Sequence, residues 1–141
     1  MRIVVDAMGS DNCPVPDVAG AVMAAREQPH ELILVGDERR IRAELAKYDT
    51  SGLPLGIVHA SQVIEMTDHP SEVMRDKRDS SIAVGMKMLK NKDVDAFVSA
   101  GNTGAVTTAA TLILGRIEGI ERPALSIFIT LPSSPILLLD V

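Results

Sequence analysis

The sequence predicts an α/β protein with a mostly parallel sheet and helices on both faces, a three-layer α/β/α arrangement. Three observations predict it. Short β-branched runs and segments of helical periodicity alternate at least four times along the 141 residues. Runs such as Leu32-Ile33-Leu34-Val35 are continuously apolar, as strands covered on both faces require. The composition, 46% hydrophobic and 23% charged, suits one domain with a real core and not a disordered chain.

Each element has a local reason. Arg2 to Asp6 is a strand. Val18, Ala21, Val22 and Ala25 recur at helical spacing, with Pro14 and Pro16 at the entrance, where a missing N–H costs little, and Pro29 past the end. Glu31 to Gly36 is the second strand. Asp37 caps a helix running to about Lys47, with Ile41, Leu45 and Tyr48 on one face. Asp49 to Pro54 is a loop, and Leu55 to Ala60 the third strand. From Ser61 to Arg78 the pattern weakens, and a loop with a short helix after Pro70 is expected. Ser80 or Asp79 caps the next helix, whose buried face is Ile82, Gly85, Met86 and Leu89. Asp95 to Ala100 is the fourth strand. Asn102 or Thr103 opens a helix so apolar as far as Leu114 that burial on most sides is expected. Ala124 to Thr130 and Ile136 to Val141 are further strands. Pro135 to Val141 reads as a buried strand with no turn or polar tail after it. The chain is therefore read as one α/β domain over residues 1–141, a fragment of a longer chain.

Charge and composition exclude several function classes. Fourteen Lys+Arg against nineteen Asp+Glu give a net charge of −5, which argues against a general nucleic-acid binder. One Tyr, two Phe and no Trp leave few stacking platforms. The single cysteine, Cys13, cannot form an internal disulfide and fits a reducing, cytoplasmic compartment. No apolar run nears the roughly 18 residues that a membrane span needs, and Met1 to Asp6 is strand-like, not a signal peptide. His30, His59 and His69 lack metal-ligand spacing, so no metal is expected. The seven methionines are read as core filling.

In open α/β sheets, ligands bind where strands run into helices at the carboxyl edge. Two such crossovers stand out. Ser99-Ala100-Gly101-Asn102-Thr103-Gly104 follows the fourth strand. Its glycines permit close approach, its short polar side chains add donors, and the next helix presents free N–H groups and a dipole that favours an anion. A simple N-cap fits the same residues. Asp6 to Asn12 follows the first strand, and its carboxylates could orient a hydroxyl, bind a metal or act as a base, although Asp, Asn, Gly and Ser also form ordinary turns. Arg75 to Arg78 could meet a phosphate or an acidic partner, or form a solvated face. Cys13 is a nucleophile only if a neighbour activates it.

Together these segments resemble the N-terminal part of the bacterial phosphate acyltransferase family. The resemblance rests on Val5 to Asp11, Ile33 to Glu38, Ile57 to Ser61 with Val63 to Met66, and Arg75 to Ser81. Its most specific stretch is Asp95-Ala96-Phe97-Val98-Ser99-Ala100-Gly101-Asn102-Thr103-Gly104-Ala105, followed by Leu114 to Ile120 and Arg122 to Leu125. Ser10 stands where that family usually has glycine, Cys13 where it usually has a small residue, and Leu131 to Pro135 looks shortened. The resemblance implies an isopropylmalate dehydrogenase-like fold and transfer of a long-chain acyl group from acyl carrier protein to inorganic phosphate. It also implies no metal or nucleotide cofactor, a homodimer, and peripheral association with the inner face of the membrane. The site residues expected to bind phosphate or the acyl thioester are Asp6, Gly9, Asp11, Asn12, Ser99, Gly101, Asn102 and Thr103. Lys77 and Arg78 are expected to meet phosphopantetheine or the carrier protein. The alternatives are a phosphate acetyltransferase-like enzyme, a dehydrogenase of the same fold (its glycine fingerprint is absent), or an inactive carrier-docking fragment.

Overall fold

The computed structural model describes residues 1–70, 75–131 and 134–140. In chain order the elements are β1 (Arg2–Asp6), α1 (Val15–Glu27), β2 (Glu31–Gly36), α2 (Glu38–Leu45), β3 (Leu55–His59), α3 (Ser81–Lys90), β4 (Ala96–Val98) and α4 (Thr103–Ala109). A π-helical turn (Ala110–Leu114), β5 (Leu125–Thr130) and β6 (Pro135–Asp140) follow. The first four strands form one parallel sheet in the order β3-β2-β1-β4. All four therefore present their carboxyl ends to the same edge.

Successive side chains on a strand point to opposite faces, and β2 uses both. Leu32 and Leu34 join Val18, Ala21, Val22 and Ala25 of α1 and Ile41 of α2 in one core. Ile33 and Val35 join Val4, Ala60 and Val94 on the other face, with Val84, Met88 and Leu89 packed against them. A third cluster, Ile82 and Met86 with Ala105 and Ala109, welds α3 to α4. The three-layer arrangement is as expected. Each fully buried Leu or Ile contributes about 1.5–3 kcal/mol.

The caps follow the sequence. The Asp37 carboxylate accepts from the amides of Arg39 and Arg40, and the Ser80 hydroxyl accepts from the Ala83 amide. Helix α2 stops at Leu45, short of Lys47, and tightens into turns that place Tyr48 against the core. The short helix expected after Pro70 falls largely on residues 71–74, outside the described residues.

Three expectations fail. The helix opening at Asn102 is not buried on most sides: only Ala105 and Ala109 of α4 are buried, and Leu112 is 66% exposed. It also loosens into a π-helical turn from Ala110. The Thr107 and Thr111 hydroxyls bond back to the carbonyls four residues earlier, which weakens the helical ladder, and Gly115 ends the turn with φ at 90°. The strand at Ile136 is not buried either. It pairs antiparallel with β5 in a separate two-stranded sheet, and Ile136 to Leu139 are all exposed because no third layer lies on them among the described residues. Finally, Met8 and Met86 fill the core, but Met1, Met23 and Met66 are exposed at positions that no element covers among the described residues.

Candidate functional site

The strand register builds the site. Val5 of β1 lies opposite Val98 of β4, so the next residues along, Asp6 and Ser99, leave the sheet side by side. Asp6 is buried, at 1% exposure. One carboxylate oxygen accepts the Met8 amide at 3.0 Å, and the other accepts the Ser99 hydroxyl at 2.7 Å. Ser81, at the start of α3, adds a further side-chain hydrogen bond. Burial pushes the Asp6 carboxyl above its ordinary value, and the bonds from Ser81, Ser99 and Met8 oppose that push. The Ser99 oxygen in turn accepts the Gly101 amide at 3.0 Å. An unbroken path of bonds thus runs from Gly101 through Ser99 to Asp6.

The two crossovers touch directly. A Cβ placed on Gly9 would sit 2.7 Å from the Asp6 carboxylate, 2.9 Å from the Gly101 nitrogen and 3.0 Å from the Ser99 hydroxyl. A Cβ on Gly101 would meet the Gly9 Cα at 3.2 Å. Two backbones meet there, so a Cβ at Gly9 would force something to shift, and one at Gly101 would press its neighbours by a few tenths of an ångström.

A third crossover closes the rim. Asn102 caps α4 by accepting the Ala105 amide at 3.0 Å, and its Nδ2 donates to the carbonyls of Met66 and Asp68, both at 3.2 Å. The loop after β3 is therefore fastened to the first turn of α4. Pro70 lies over Gly104, where a Cβ would come within 2.6 Å of its ring. Asp68 accepts the Glu65 amide at 2.7 Å and pairs with the Lys77 ammonium. Those two contacts hold the Asp68 carboxyl below the usual carboxylate range.

Six of the expected site residues, Asp6, Gly9, Ser99, Gly101, Asn102 and Thr103, come together at this edge. Lys77 joins them through Asp68. Arg78 does not; its guanidinium donates to the Arg75 carbonyl on the exposed side of that segment. Asp11 and Asn12 are exposed in the turn before α1, where the Asn12 carbonyl accepts the Val15 amide. The first-turn amides of Thr103 and Gly104 have no acceptor within the helix. The Cys13 thiol is pushed up by burial, which outweighs the Arg40 guanidinium beside it, so it is not an activated nucleophile. Among the described residues no group of three His, Cys, Asp or Glu could hold a metal ion, and no helix is long and apolar enough to cross a membrane.

Sequence reasoning missed Ser81, Asp68 and Pro70 as parts of this edge. Ser81 carried a signal, since it closes one of the quoted motifs. Asp68 and Pro70 lie in the segment of weakest pattern, where no periodicity indicates which crossover they meet.

Residues 1–141 match the family described as fatty acid synthesis protein. The chain belongs to that family. Curated relatives are named phosphate acyltransferase. That of Herpetosiphon aurantiacus is 56% identical over 125 residues, covering 89% of this chain and 34% of the relative. That of Dictyoglomus turgidum is 48% identical over 142 residues, covering 100% and 42%. That of Geobacter sulfurreducens is 49% identical over 142 residues, covering 100% and 41%. The chain thus spans between a third and about two fifths of the length of these relatives.

Proposed function

We propose that the protein carrying this segment transfers a long-chain acyl group from acyl carrier protein to inorganic phosphate, giving an acyl phosphate for phospholipid synthesis. The observation that carries the reading is the meeting of two glycine crossovers at one sheet edge, Gly9 against Gly101, in a chain whose relatives are named phosphate acyltransferase. A phosphate oxygen attacks the thioester carbonyl carbon. A C–O bond forms, the C–S bond breaks, and the sulfur leaves as the thiol of the carrier's prosthetic arm, taking up a proton. Phosphate is the nucleophile, so the protein's task is to desolvate and align it and to stabilise the oxyanion with fixed donors.

The amides of Thr103 and Gly104 and the Thr103 hydroxyl are the donors for phosphate or for the thioester oxygen. The Asp6–Asn12 crossover is the facing wall, with Asp11 and Asn12 at its exposed tip. Lys77 and Arg78 meet the phosphopantetheine phosphate or the acidic carrier. The same reading places the protein in the cytoplasm as a homodimer, peripheral to the inner face of the membrane, with no metal or nucleotide cofactor.

The test is direct. The intact protein is incubated with acylated carrier protein and labelled phosphate, and acyl phosphate is trapped with hydroxylamine. Phosphate-dependent hydroxamate is the expected product. Loss of the acyl group at the same rate without phosphate would refute the reading.

A further inference from the structure

Asp6 is poorly suited to contact phosphate. A buried carboxylate in contact with an anion is opposed by like charge, and the oxygens of Asp6 already accept from Met8, Ser99 and Ser81. The Ser99 hydroxyl donates its one proton to Asp6, and the Gly101 amide donates to Ser99. None of these groups is free to donate to a substrate, yet their path of bonds ends one residue before the cap of α4. We propose that Asp6 and Ser99 are positioning residues: the carboxylate, acting through the serine hydroxyl, holds the Gly101 amide and so sets where the first turn of α4 meets phosphate. This rests on the reading above that phosphate binds there.

The geometry supplies the second fixed point. Asn102 is tied on its other side to the carbonyls of Met66 and Asp68. The two residues between Ser99 and Asn102 are thus clamped at both ends, from β1 and from the loop after β3. Release of either clamp lets Gly101 move off Gly9, and the amides beyond it follow.

The experiment uses the intact protein with Asp6→Asn, Ser99→Ala and the double variant. Three quantities are read: KM for phosphate, kcat, and amide hydrogen exchange at Gly101. Each single variant is expected to raise KM for phosphate about 10-fold while kcat changes less than about threefold. The double variant should be no worse than Ser99→Ala alone, because Asp6 acts through Ser99. Exchange at Gly101 should accelerate at least about 10-fold in both single variants. An unchanged KM in Ser99→Ala, or single effects that multiply in the double variant, would overturn the proposal. If one variant fails to fold, the other still reports both quantities. If the unmodified protein makes no acyl phosphate, the functional reading falls by itself. The exchange comparison then decides the clamp, and unaccelerated Gly101 exchange overturns it.

Discussion

Leu34 in β2 is fully buried, whereas Leu138 in β6 is 55% exposed. Both lie in unbroken apolar runs of the kind that form strands covered on two faces. The first run has a layer of helices on each side. The second is half of a two-stranded sheet, and Ile127, Phe128 and Ile129 on its partner strand are exposed as well. A sequence run encodes the strand; the burial of that strand depends on residues elsewhere that form the next layer. Two-stranded sheets on their own are marginally stable in water, so the two regions should differ in energetics as sharply as they do in exposure.

Truncation in each region is the strongest way to break this contrast. Leu34→Ala should cost about 2–5 kcal/mol, since it leaves a cavity between β2 and α1. Phe128→Ala, at a side chain 66% exposed, should stay within about 0.5 kcal/mol. Urea unfolding measures both. Equal costs would mean that the hairpin is covered in solution and that the comparison is wrong.

Glycine substitution sharpens the contrast between the sheet edge and the helix surface. Gly9→Ala forces a Cβ into the contact with Gly101 and should cost about 1–3 kcal/mol. It should also weaken phosphate-dependent turnover. Gly20→Ala, in the exposed middle of α1 where a Cβ meets nothing within 4 Å, should instead stabilise by about 0.4–1 kcal/mol. Thermal unfolding gives both signs. A neutral Gly9→Ala would show that the two crossovers can separate without loss.

The legible part of the fold is the part in which one layer specifies itself. Val18, Ala21, Val22 and Ala25 announce their helix face by spacing, and all four are buried. Asp37 and Ser80 announce caps by residue type. The candidate edge was half legible. Asp6 and Ser99 could be placed after their strands, but only the β1–β4 register makes them neighbours across 93 residues. That pairing between non-consecutive strands has no local signature, nor does the reach of Asn102 to the carbonyl of Met66. The apolar run from Ala105 to Leu114 misled for the opposite reason. Its local pattern is clear, but burial needed a cover that the described residues do not supply.

Asn102 tests whether that long-range tie matters more than an ordinary cap. Loss of a capping side chain costs about 0.5–2 kcal/mol. Asn102→Ala also removes the donor to the loop after β3, so it should lie at the upper end. Asp37→Ala, whose cap bonds at the start of α2 are exposed, should lie at the lower end. In the intact protein, Asn102→Ala should raise KM for phosphate several-fold. If both KM and turnover were unchanged, the Ser99–Gly104 crossover would have no place in the proposed site.

The smallest expected effect is electrostatic, and it has opposite signs at two carboxylates of the same edge. Asp68 has its pKa lowered from 3.8 by Lys77 and the Glu65 amide. Its contribution to stability is present above that ordinary value and is lost as pH falls through the lower folded value. Asp6 has its pKa raised from 3.8, chiefly by burial. In the window between its ordinary and raised values the folded state holds the proton more tightly than the unfolded state, so stability declines as pH rises through that window. Asp68 is half-buried and paired at the rim, in partial contact with solvent, so screening by salt shrinks its effect. Burial shields Asp6 from the same screening. Carboxyl carbon NMR should therefore show Asp68 titrating below the ordinary range with a midpoint that rises toward it in high salt, and Asp6 titrating above the range with a midpoint that barely moves. If both midpoints shifted equally with salt, Asp6 would be as solvent-exposed as the rim, and the buried support beneath the edge would not exist as described.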